Sequence, residues 1–66
     1  MNEDTLNDFF NSIREMQIIS EDATYLLRGT KPDTELQKRL YRIRALADNE
    51  TIRLSRFQAY IRTLEE

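Results

Sequence analysis

One glycine and one proline occur in the 66 residues of this chain, at positions 29 and 32, close to its midpoint. These two residues are the strongest local interrupters of helices and strands, so their confinement to one short segment leaves both flanks free of backbone breakers. The segment Arg28-Gly29-Thr30-Lys31-Pro32-Asp33 is therefore the one convincing chain reversal. Gly29 suits the left-handed residue that closes a helix. Pro32 fits a turn or a first helical turn, and Asp33 or Thr30 is placed to cap the N–H groups of a following helix.

Each flank carries a helical apolar register. Before the turn, Leu6, Phe9, Ile13, Met16, Ser20, Ala23 and Leu27 follow alternating spacings of three and four, with Ser20 the only polar member. After it, Leu36, Leu40, Ile43, Ala47, Glu50, Leu54, Phe57, Ile61 and Leu64 do the same, with Glu50 the only polar member. This spacing keeps side chains on one seam of a helix that packs on another. The expected fold is all-α: a single domain over 1–66, an antiparallel hairpin with helices over about 4–28 and 34–64 and a turn at 29–33 formed by Gly29, Pro32 and Asp33. Ser20-Glu21-Asp22 and Asn49-Glu50 also read as helix N-caps, which would break the first helix near Ser20 or the second near Asn49. A β-hairpin over 41–54 is a third reading, but it wastes the unbroken register.

A chain this short buries a smaller share of its surface than a longer one, and its stability is correspondingly thin. The usual staples are disulfides or a structural metal, and the absence of both Cys and His removes them. Self-association or a protein partner is the staple that remains. No stretch approaches the roughly 20 apolar residues of a membrane span, and Met1-Asn2-Glu3-Asp4 is acidic with no apolar run behind it. A soluble, cytoplasmic protein is the expectation. The net charge of -2 hides an asymmetry: residues 1–27 carry six acids against Arg14, while 28–64 carry nine bases against four acids. The two halves attract each other.

Missing His and Cys also removes the commonest general base, the commonest metal ligand and the thiol nucleophile. No Gly-rich phosphate cradle exists, and no cofactor is implied. Asp8, Glu15 and Asp22 recur at intervals of seven, about 10 Å apart along a helix, too far for adjacent members to share one ion. They read as a solvated acidic stripe, and an enzyme is not expected. Lys38, Arg39 and Arg42, with Arg44, Arg53, Arg56 and Tyr41, permit an alternative reading as a small dimeric DNA-binding regulator. Placed on the heptad they scatter around the helix, which favours pairing with the acidic half.

The more informative signal is apolar surface that one seam cannot use. Ile18 and Tyr25 lie seven apart on the outer face of the first helix, Phe10, Ile19 and Leu26 flank its seam, and Ile52 projects from the back of the second. A helix apolar on several sides packs against something more, so these six residues are the candidate partner-binding set. A helical adaptor, or a dimer of hairpins closing a four-helix bundle, follows.

Arg28-Gly29 followed by Pro32, then Ala45-Leu46 and Ile52, resemble the small E-type co-chaperones of type III secretion needle subunits, over roughly residues 26–54. The resemblance implies a helical hairpin that teams with a larger helical-repeat chaperone to keep the needle subunit soluble before export. It implies that Gly29 and Pro32 shape the turn, and that Ala45, Leu46 and Ile52 face either the hairpin or the chaperone. The chain departs from that pattern in its Arg-rich second helix and in Asp48-Asn49, where small residues are the rule.

Overall fold

The computed structural model describes residues 3–65; Met1, Asn2 and Glu66, the ends of the expected 1–66 domain, lie outside the described residues. Two α-helices account for nearly all of it, α1 (Glu3–Arg28) and α2 (Glu35–Glu65), packed antiparallel along their length. Both helices are continuous. The alternative breaks at Ser20 and Asn49 do not occur, nor does the β-hairpin. Acids in the first turns (Glu3 and Asp4; Glu35) and bases in the last (Arg28; Arg62) oppose each helix dipole favourably.

Ser20 stays helical because its polarity is satisfied across the hairpin. Its Oγ donates to Asp48 Oδ1 at 2.6 Å, while Thr24 Oγ1 donates to the Ser20 carbonyl at 2.9 Å. An apparent seam defect is thus an interhelical tie, which removes the reason for Ser20 to act as a cap.

The reversal at 29–34 differs from the sequence expectation in its details. Gly29 does not take positive φ; Asp33 does, at 60°. The reason is that α1 closes without a left-handed residue. Gly29 and Thr30 donate their N–H groups to the Leu26 and Leu27 carbonyls at 3.2 Å, and Thr30 Oγ1 donates to the Leu26 carbonyl at 2.7 Å. Pro32 followed by a positive-φ residue fits the central pair of a type II turn, and Asp tolerates that conformation better than most residues. Neither Asp33 nor Thr30 caps α2. Thr34 does, its Oγ1 accepting from the Gln37 N–H at 3.2 Å, while Gln37 Oε1 accepts from the Asp33 N–H at 2.9 Å. The pair is a variant of the capping box, displaced by one residue on the return bond.

The α1 seam lies where the 3,4 spacing puts it: Leu6, Phe9, Ile13, Met16, Ser20, Ala23 and Leu27 are each shielded at least in part. On α2 the expected seam divides: alternate members point inward, and of the others only Glu50 is half-buried. Leu40, Ala47, Leu54 and Ile61 do, but their inward neighbours are Gln37, Arg44, Thr51 and Gln58, not Leu36, Ile43, Phe57 and Leu64. The physical reason is that one partner helix covers about two columns of side chains, and the apolar stripe of α2 is wider than that. The Ser20–Asp48 bond holds the polar edge of α2 close to α1, and the apolar column rolls out on the opposite edge.

Candidate interaction surface

Ala23, Leu40 and Ala47 are the apolar side chains that become buried, and no large side chain among the described residues is fully enclosed. Two of the three are alanines, whose small side chains permit close helix approach but contribute little apolar area. Thirteen large apolar side chains remain more than a third exposed among the described residues. The chain exposes 5448 Å², whereas a compact monomer of 7.9 kDa would expose about 4,400 Å². Its radius of gyration of 15.2 Å compares with about 11 Å for a compact domain of this length. As a monomer the hairpin is a rod with half a core.

The uncovered surface is not spread evenly. On one flank, Leu26 and Leu36 border a groove near the turn, and Met16, Ile19, Ile43 and Leu46 border a second groove further along. Toward the open end the flank continues through Phe57, whose ring lies 5.5 Å from that of Phe9 at an angle of 49°. Leu36 is 58 % exposed, Leu46 62 % and Phe57 51 %. The opposite flank is polar, carrying the Ser20–Asp48 bond and Arg62, whose guanidinium sits 5.8 Å from the centre of the Phe10 ring.

All six residues expected from the sequence to bind a partner are exposed, but they do not form one surface. Ile19 and Leu26 belong to the apolar flank. Phe10 lies on the polar flank beneath Arg62. At about 100° per residue, Ile18 and Tyr25 leave α1 on the side away from α2, although the Tyr25 side chain also borders the groove that Leu36 and Leu40 line, and Ile52 projects from the back of α2. Leu36, Ile43 and Phe57 complete the flank, although their spacing alone assigned them to the internal seam. Leu46 was legible only through the family resemblance. It stands out from α1, as do Ala45 and Ile52, so these three do not face the hairpin interior.

Lys38, Arg42 and Arg56 share the back of α2 and make no ion pair among the described residues, and Arg39 and Arg53 stand beside them. Arg39 and Arg53 pair within their own helix with Glu35 and Glu50, each at 3.6 Å, in exposed geometry that contributes little to stability. These five bases thus do not pair with α1, as the charge asymmetry suggested, but line an outward ridge, whereas Arg44 and Arg62 lie over the rings of Tyr41 and Phe10. Asp8, Glu15 and Asp22 are exposed on α1, and the described residues hold no group of three or more acidic side chains close enough for a metal ion. No helix is long and apolar enough to cross a membrane.

The chain matches no protein-family model, no curated protein and no solved structure.

Proposed function

We propose that this chain is a non-enzymatic helical adaptor, which works by docking other helices onto apolar surface that its own hairpin leaves uncovered. The observation that carries this reading is the ratio of buried to exposed apolar side chains: two alanines and one leucine inside, thirteen large residues outside. A chain with so little core gains most of its stability from what it binds. The surface for a foreign partner is the back of α1, where Ile18 and the 72 % exposed Tyr25 stand seven residues apart at the spacing of helix-in-groove recognition. The resemblance to needle-subunit co-chaperones supplies the partner's class, a larger helical chaperone of a cytoplasmic secretion step. The test is binding of a purified needle-subunit chaperone to the full chain, compared with an Ile18→Ser, Tyr25→Ser double variant. Loss of binding with helix content preserved is the expected result. Undiminished binding by the double variant refutes this face.

The basic ridge favours one second reading, a nucleic-acid-binding helix using Lys38, Arg39 and Arg42. It requires binding to duplex DNA that weakens steeply with salt and falls further when Arg39 and Arg42 become Ala. A gel shift at low salt with no retarded band removes it.

A further inference from the structure

The apolar flank has a charge pattern that names its occupant. Asp8 borders the groove formed by Thr5, Phe9, Ser12 and Leu54, so the column Asp8, Glu15, Asp22 runs along the α1 edge of the flank. Leu46 borders the central groove, so the column Arg39, Leu46, Arg53, Tyr60 runs along the α2 edge. One face therefore has an acidic edge, a centre that is apolar except for Glu50, and an edge on which Arg39 and Arg53 alternate with Leu46 and Tyr60. It complements a copy of itself turned half a revolution.

We infer that a second copy of this chain covers the flank, with α1 of each hairpin lying over α2 of the other, in an all-antiparallel four-helix bundle. Two arrangements with twofold symmetry bring these flanks face to face. An axis parallel to the helices places α1 over the partner's α2, acid over base. An axis perpendicular to the helices, within the interface plane, places α1 over α1 and α2 over α2, like charge over like. The levels along the bundle agree for one acid–base pair, Glu15 with Arg53. Phe9 meets Phe57 and Ser20 meets Asp48, so Glu15 lies level with the stretch around Arg53. By the same Ser20–Asp48 tie, Asp22 lies level with the stretch around Leu46, between Arg39 and Arg53 on the α2 edge. Because the axis preserves height, those levels carry over to the partner. Arg39 is 70 % and Arg53 79 % exposed, and each can exchange its 3.6 Å pairing within its own helix for one across the interface.

The size fits as well. The hairpin measures 50 × 16 × 12 Å, so its broad face offers roughly 800 Å² per copy, the footprint of a standard stable interface. That is close to the roughly 1,000 Å² by which the single chain exceeds the surface of a compact monomer. Leu36, Ile43 and Phe57, whose column has Glu50 as its one polar member, become the central layer of the bundle with Leu46 beside them.

This inference rests on reading the exposed apolar residues as an interaction surface, but its substitutions touch none of the residues of the α1 back face, of which Tyr25 also borders the groove near the turn. The experiment is sedimentation equilibrium of the full chain across a concentration series. Twice the chain mass of 7.9 kDa is the expected result, and the mass of a single chain up to millimolar concentration overturns the inference. Ile43→Asp with Leu46→Asp reduces the mass to that of one chain; a persistent dimer overturns the choice of flank. Because that variant risks unfolding, the exposed charges supply an independent test. Glu15→Lys and Arg53→Glu each weaken the dimer roughly tenfold, and the two together restore it. Singles that add without rescue refute the α1-over-α2 arrangement. Dimerisation without chaperone binding sinks the adaptor reading alone, and chaperone binding by a strict monomer sinks this inference alone.

Discussion

Replacing Gln58 by leucine probes the register of α2 most sharply. Gln58 is 8 % exposed, and its Nε2 has no hydrogen-bond partner among the described residues. It occupies the inward column that the apolar spacing assigned to Phe57. A buried N–H that has left water without finding an acceptor costs about 1–3 kcal/mol. Leucine has similar volume, removes that cost and adds apolar contact, while losing little because no bond is broken. We expect a gain of about 1–2 kcal/mol, which at this chain length raises Tm by about 4–8 °C per kcal/mol. The assay is urea and thermal unfolding followed by circular dichroism, at one fixed protein concentration so that association does not confound the comparison. The slope of the urea transition should stay constant and its midpoint rise. Ser55→Leu, on the polar flank of the same helix, serves as the control and should change stability by no more than about 0.5 kcal/mol. If Gln58→Leu is neutral or destabilising, either Gln58 does not point inward or its amide has an acceptor, and the register described above is wrong.

The turn yields two further expectations. Gly29→Ala should be neutral or stabilising by up to about 1 kcal/mol, because Gly29 has no positive φ and an added Cβ would meet only the Leu26 carbonyl oxygen at an ordinary 3.9 Å. Asp33→Val should cost about 1–2 kcal/mol through its positive φ, and Asp33→Gly should cost little. The opposite ranking, Gly29 sensitive and Asp33 tolerant, would return the left-handed residue to position 29. Thr34→Ala should cost about 1 kcal/mol in an unfolding curve through loss of the α2 cap, whereas Thr30→Ala should cost less because Thr30 is no cap of α2. Ala47→Leu, at a position 4 % exposed where the helices approach, should destabilise by about 1–3 kcal/mol through overpacking; a neutral result would mean that the helices are not in close contact there.

The fold was legible because helix periodicity is a property of each segment by itself, and because a lone Gly/Pro pair leaves one place to turn. The α1 seam was legible for the same reason. The α2 seam was only half legible, since 3.6-residue periodicity identifies an apolar stripe but not which edge of it a single partner helix covers. Periodicity alone assigns Leu36, Ile43 and Phe57 to the interior for that reason, and they are the residues that build the apolar flank. The turn was placed correctly and its chemistry was not. Choosing Gly29 over Asp33 for positive φ follows residue preference, but Thr30 closes α1 through its side chain and moves the left-handed residue four positions on. Ser20 shows the converse error, where a cap-like residue in a seam is a hydrogen-bond donor to the facing helix. Among the candidate partner residues, exposure was legible, whereas their division into a flank, an outer face and two separate positions depended on knowing where α2 lies.

The most direct test of the half-built core is how the midpoint of thermal unfolding depends on protein concentration. If folding and pairing of two hairpins are one event, each tenfold rise in concentration stabilises the assembly by about 1.4 kcal/mol and moves the midpoint upward throughout the series. A midpoint that stays constant across three decades, in a chain that remains fully helical, would show that one hairpin is stable with its apolar flank in water and would contradict the account.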